Sequence, residues 1–129
     1  MMDLVNNAFG IHERAIAVRN RRVELLSQNI ANADTPNYKA RDLDFKKMIA
    51  GVEGVKVAAT NQRHYDIAHL ENSPDGLKFR VPFNSATDGN TVEMAVEQAQ
   101  YSKATADYQA TLMFLESRIS GIRKALRGE

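Results

Sequence analysis

The sequence contains no cysteine and no tryptophan. The first absence excludes disulfides and thiolate metal sites. Aromatic residues make up only 7% of the chain, so a dense globular core is not what this composition builds. Alanine, glutamine, asparagine and charged residues are plentiful instead, which favours long helices. The formal net charge is +1, which gives no electrostatic case for nucleic acid or for an anionic membrane. There is no run of 18 apolar residues, so nothing spans a bilayer. Asp3, Glu13 and Arg14 break up the start of the chain, so no cleavable signal peptide is expected. A protein of this kind leaves the cytoplasm only by a route that needs none.

The usual marks of catalysis are missing too. There is no glycine-rich phosphate loop, no G-x-S-x-G and no H-E-x-x-H. His64 and His69 stand five apart, with Asp66 and Glu71 nearby, whereas helical zinc sites place histidines three or four apart. His12 is remote from both. These histidines are read as solvated or locally bonded, and no metal, cofactor or catalytic residue is assigned. Asp42 and Asp44 lie in a segment with no evident pocket, and acid–base work needs shielded, tuned carboxylates. Arg19, Arg21 and Arg22 form a short basic cluster. With Glu24 beside it and few aromatics, it reads as a solvated or salt-bridged face and not as a nucleic-acid site.

What is present is helical periodicity at both ends. Residues 3–33 read as one helix. Leu4, Ile11, Val18 and Leu25 form one seven-residue series, and Phe9, Ile16, Val23 and Ile30 form a second. The two are offset by roughly 140° at 3.6 residues per turn. With Ala8, Ala15 and Leu26 the apolar arc covers roughly 200°, against the ~100° that a single partner needs. Residues 91–127 read as a longer helix with no interrupting proline. Met94, Tyr101, Tyr108, Leu115 and Ile122 make one series, and Leu112, Ile119 and Leu126 another. Asn90-Thr91-Val92-Glu93 has the form of a capping box. Arg118, Arg123, Lys124 and Arg127 suit the negative end of the helix dipole, and Gly128 is a natural terminator.

Between the helices the pattern changes. Pro36 removes a backbone donor and pushes Thr35 out of the α region, so the first helix must stop near Asn32–Asp34. Asn32, Asp34 and Asn37 tolerate turn geometry, and Tyr38 is suited to pinning the turn against a neighbouring surface. Asn29, Asn32, Thr35, Pro36 and Tyr38 are therefore expected to set how the chain leaves the helix. Further on, Gly51, Gly54, Pro74, Gly76, Pro82 and Gly89 punctuate a loop-rich stretch. Val55–Thr60 and Leu77–Val81 alternate like short strands, either paired as a hairpin or left as extended arms.

The expected fold is mainly α. Two long terminal helices, residues 1–33 and 91–129, pair as a coiled-coil-like hairpin forming one discontinuous helical core. Residues 34–90 form the motif turn and a loop-rich insert with room for a short β-hairpin. The apolar surface in excess of one partner points to assembly. The expected interface comprises Leu4, Ile11, Ile16, Val18, Val23 and Leu25 on the first helix. On the second it comprises Tyr101, Tyr108, Leu112, Leu115, Ile119 and Ile122. For Tyr101 and Tyr108, packing between helices and contact between subunits are both open. From sequence, the rival reading is a helical adaptor or chaperone-like module that binds another protein's helix in an apolar groove.

Asn29-Ile30-Ala31-Asn32-Ala33-Asp34-Thr35-Pro36-Asn37-Tyr38 resembles the A-N-x-x-T-P-G-Y motif of bacterial flagellar rod, hook and related axial proteins. Asp88-Gly89-Asn90-Thr91-Val92-Glu93-Met94 is similar to the D-G-N-T-V-D-M that opens their C-terminal helix. The chain departs from the first pattern at Asn37, where glycine is usual. Within the basal-body rod protein family the resemblance is closest to the proximal-rod members. It covers roughly residues 1–48 and 86–129. It implies a structural subunit that joins an axial helical assembly and spans the periplasm as part of the basal body. It also implies export without signal cleavage by the flagellar type III apparatus. The implied partners are further copies, homologous rod proteins, the rod–ring adaptor, the membrane-ring protein and the export apparatus. Nucleic acid and direct membrane insertion are not among them.

Overall fold

The computed structural model describes residues 2–50 and 76–128 of the chain. The architecture is mainly helical. Helix α1 runs over Met2–Ala31. Strand β1 spans Arg41–Leu43, and a short helix α2 spans Phe45–Ala50. Strand β2 covers Leu77–Phe79, and helix α3 covers Met94–Arg127. At ~1.5 Å per residue the two long helices measure roughly 45 and 50 Å. Among the described residues, no helix is long and apolar enough to cross a membrane.

Helices α1 and α3 form an antiparallel hairpin. Asn29 meets Glu97, Arg22 meets Gln100 and Arg19 meets Asp107, so the number falls on one helix as it climbs on the other. The side chains that α3 buries along this seam are Glu97, Ala104 and Thr111. They recur every seven residues but are small or polar. Thr111 fits because its hydroxyl donates to the Asp107 carbonyl at 2.9 Å and so hides its own polarity. The apolar core comes from the other elements: Val18, Leu25 and Leu26 of α1, Ala40, and Leu43 of β1. Short residues on one helix let larger ones on the other close the gap, which keeps the hairpin tight.

Strand β2 pairs antiparallel with β1, with Asp42 opposite Lys78. The ladder extends one residue each way, as Arg80 N donates to Ala40 O and Asp44 N to Gly76 O. Leu77–Phe79 is a strand, and among the described residues its partner is the segment leaving the motif turn, a pairing the sequence did not suggest. Val55–Thr60, like His64, Asp66, His69 and Glu71, lies outside the described residues. Asp44 begins α2 by accepting from Lys47 N, as a helix N-cap does. Gly76 stands at φ 63° with Met48 packed where a Cβ would be, so this corner admits only glycine without rearrangement.

The start of α3 is corrected. The capping-box reading put Asn90 at the N-cap, yet the helix begins at Met94 behind an extended Glu93 that makes no side-chain cap bond. The capping groups are engaged elsewhere. The Asn90 amide reaches α1, and the Glu93 carboxylate accepts from Phe83 N and Asn84 N. At the other end Gly128 adopts φ 73° and donates its N–H to the Lys124 carbonyl, as the sequence implied.

Candidate assembly site and its polar clamp

The turn after α1 presents carbonyls that are only partly satisfied locally, those of Asn32 and Thr35 accepting from Thr35 N and Tyr38 N. Asn90 supplies a further donor. Its side-chain nitrogen lies 2.9, 2.8 and 2.9 Å from the carbonyl oxygens of Asn32, Ala33 and Thr35. Its own oxygen accepts from Val92 N at 2.7 Å, and the residue is buried. The entrance to α3 therefore holds the exit of α1. Around it, Asn37 N donates to Asp88 O and Thr91 N to Tyr38 O, while Ala40 N donates to the Thr91 hydroxyl. Asn37 stands at φ 61°, the left-handed geometry for which asparagine substitutes at low cost.

Asn29 is the second tie. It is buried and fully satisfied. Its amide donates to Arg41 O at 2.7 Å and to Glu97 Oε2 at 3.0 Å. Its oxygen accepts from Arg41 N and from the Tyr38 hydroxyl. One side chain thus pairs with both backbone groups of Arg41 and fixes β1 against α1. Tyr38 closes the same network, so the pinning role expected from sequence has a defined partner. The Thr35 hydroxyl donates to the Asn32 side-chain oxygen and the Asn32 amide to Gln28 O at an exposed turn, and Pro36 is exposed beside them.

Glu97 is 0% exposed and joins this network to the strands. Arg80 Nε stands 2.8 Å from Glu97 Oε1. That is an ion pair by distance, but neither atom makes a hydrogen bond of good geometry. Arg80 also reaches Asp42 at 3.0 Å, and Asp42 takes a bidentate pair from Arg22, which in turn donates to Gln100. Two guanidinium groups and two carboxylates so balance one another between α1, β1, β2 and α3. The Asp42 hydrogen bond raises the Arg22 pKa, with burial opposing it. Asp44 is held below the ordinary aspartate range by the Lys78 ammonium and then by the Lys47 N–H.

The arginine cluster noted in the sequence serves these internal contacts. Arg19 pairs with Asp107 at 3.0 Å and stacks 4.2 Å above the Phe45 ring, Arg21 pairs with Glu24, and Arg22 pairs with Asp42. Among the described residues, no group of three or more histidine or carboxylate side chains is placed to hold a metal ion. The arrangement clamps chain segments together; it does not present a reactive group to a pocket.

The residues expected at an assembly interface divide into three groups. Val18 and Leu25 are buried inside the hairpin, beyond the reach of a second subunit. Ile16, Val23, Tyr108, Leu112 and Leu115 are half-buried. Ile11, Tyr101, Ile119 and Ile122 are exposed, as are Met94, Met113, Phe114 and Leu126. The side chain of Leu4 lies outside the described residues. The apolar series of α3 therefore runs beside the seam while Glu97, Ala104 and Thr111 fill it. Sequence reasoning missed the roles of Glu97, Arg80 and Asn90. The available signal was a lone glutamate in seven-residue phase with Ala104 and Thr111.

A model of the flagella basal body rod protein family matches residues 9–39, the stretch running from α1 into the clamp. Nearly the whole chain is similar to curated flagellar basal body rod proteins named FlgB. The Aeromonas hydrophila protein is 41% identical over 128 residues, covering 96% of each chain. The chain belongs to the FlgB family of flagellar basal body rod proteins. A FlgB of Cereibacter sphaeroides is 44% identical over 121 residues, 93% of this chain and 94% of that one. That of Salmonella typhimurium is 37% identical over 136 aligned residues, 99% of each. Membership in the FlgB family makes this chain a structural protein and not an enzyme, and the clamp is the local structure that its two signature segments build.

Proposed function

We propose that this chain is a subunit of the proximal rod that associates with copies of itself and with homologous rod proteins through its terminal helices. In this reading residues 1–33 and 91–129 are the assembling core, and residues 34–90 are an insert carried on it. One observation supports it most. The seam between α1 and α3 is filled by Glu97, Ala104 and Thr111, so Tyr101, Ile119 and Ile122 remain exposed on a helix that already has its intramolecular partner. Burying such surface stabilises by ~25 cal/mol per Å² before ordering costs, a gain available to contacts with other chains. The rod–ring adaptor, the membrane-ring protein and the export apparatus are further proposed partners, with export proceeding without signal cleavage. A strain lacking the gene should recover swimming with the intact chain. The chain should also be found in purified basal bodies with an unprocessed N-terminus by mass spectrometry. Swimming without it, or its absence from those particles, refutes the assignment.

A further inference from the structure

Helix α3 offers α1 a choice of two faces. The face that packs against α1 is Glu97, Ala104 and Thr111, all buried. Four positions on stands the apolar series Tyr101, Tyr108, Leu115 and Ile122, roughly 40° around the axis at 3.6 residues per turn. Tyr101 and Ile122 are exposed, and Tyr108 and Leu115 are half-buried. Turning α3 by that angle would bring the tyrosines and Leu115 into the seam, and apolar burial by itself favours the turn. The chain does not make it.

What opposes the turn is the Glu97 carboxylate. One oxygen stands 2.8 Å from Arg80 Nε, and the other accepts from the Asn29 amide at 3.0 Å. Turning α3 toward the tyrosines would draw the carboxylate away from both and leave a shielded guanidinium short of an anion. Parting a buried ion pair is strongly destabilising, whereas replacing both partners by apolar residues is often neutral or better. Among the described residues neither Arg80 Nε nor Glu97 Oε1 makes a hydrogen bond of good geometry, so this pair contributes little stability to set against its burial. A polar residue in the seam between two helices can fix their alignment at a cost in stability. The other ties between the helices, Arg22 to Gln100 and Arg19 to Asp107, join side chains that keep contact with water, where such pairs are weak.

We infer that the Glu97–Arg80 pair sets the roll of α3 against α1, selecting the small face for the seam and holding the Tyr101–Tyr108 face turned outward. Glu97 and Arg80 are then positioning residues: they act through the helix that carries the tyrosines and touch no second subunit themselves. Arg80 follows β2 and is anchored by its N–H to the Ala40 carbonyl, so the strand pair decides which face of a helix the hairpin conceals. That the outward face then meets other subunits rests on the rod-subunit reading; the roll itself does not.

The absence of cysteine makes the test direct. The purified full chain would carry Thr111→Cys, a change of little volume at a buried seam position. Thiol labelling reports the seam face, and hydroxyl-radical oxidation of Tyr101 and Tyr108, read by mass spectrometry, reports the other. The same chain would then carry R80M and E97A together. This removes the pair whole, lets a flexible methionine fill the space and leaves Asp42 bound to Arg22. The expected result is an exchange of faces: thiol labelling several-fold faster and tyrosine oxidation several-fold lower. Adding Y101S and Y108S, which removes the competing apolar face, should return labelling toward the parent rate. A pair that only held the fold together would raise both signals when lost, and that result overturns the proposal. So does the parent pattern in the R80M–E97A chain, or labelling that stays fast after the tyrosines are replaced. No basal body enters the measurement, so its failure leaves the rod assignment intact.

Discussion

Asn90 donates to three carbonyls at the end of α1 while its oxygen holds Val92 N at the approach to α3. Replacing it by Asp keeps the shape and turns the donor into an oxygen facing three carbonyl oxygens. The new charge would also sit at the negative end of the α1 dipole. Each buried group left without a partner costs ~1–3 kcal/mol. Asn90→Asp should therefore destabilise by at least ~2 kcal/mol, and by more than Asn90→Ala, where water can enter. Thermal unfolding followed by circular dichroism measures both. Asn29→Leu should be comparably severe, because it strands Arg41 and Glu97 together. Asn32→Leu should be mild, since Asn32 bonds only within an exposed turn. An Asn32 variant as unstable as the Asn29 variant would show that the buried tie is not what matters.

At the scale of helices, the seam and the flank of α3 should respond oppositely to substitution. Ala104 is buried in the seam between the helices, and a leucine there forces them apart at a cost of ~1–3 kcal/mol. Ile119 is exposed, so Ile119→Asp should leave the melting temperature within a few degrees while abolishing recovery of the chain in basal bodies. Equal loss of stability in both variants would place Ile119 in the hairpin's own core. The helices themselves were legible because Leu25, Ile30, Tyr101 and Ile122 repeat with helical spacing and because Gly128 is an unambiguous stop. The partition of their faces was not legible. Hydrophobicity ranks Tyr101 and Leu115 above Glu97 and Ala104 as seam residues, whereas close approach favours the small side chain and a buried arginine favours the carboxylate. The clamp was half legible. Asn29, Tyr38 and the helix stop were marked by composition. That Asn90 would complete that stop depended on a contact between residues more than fifty positions apart, which no local pattern encodes. The same contact explains why Asn90 does not cap its own helix.

Across the whole molecule, order should fall from one end of the hairpin to the other. The clamp, the strand pair and the core of Val18, Leu25, Leu26 and Leu43 gather at the end where the chain turns. Toward Phe9 and Leu126 the helices have, among the described residues, little beyond each other, and the surface there is apolar and exposed. Hydrogen exchange on dilute protein should give strong protection in residues 18–31 and 95–111. It should give weak protection in residues 3–12 and 115–127. Assembly should raise the second pair most. Uniform protection in the dilute chain, with a sharp melt of a monodisperse species, would instead favour the adaptor reading.

The dependence of α1 on Asn90 also bears on timing. A ribosome releases the first helix long before Asn90, so for most of its synthesis the nascent chain lacks the side chain that reaches the carbonyls of Asn32, Ala33 and Thr35. Glu97 emerges later still, and until then Asn29 lacks its carboxylate and Arg80 its buried anion. The contacts between α1 and the start of α3 are thus withheld until about three-quarters of the polypeptide exists. Such long-range closure slows folding relative to local pairing.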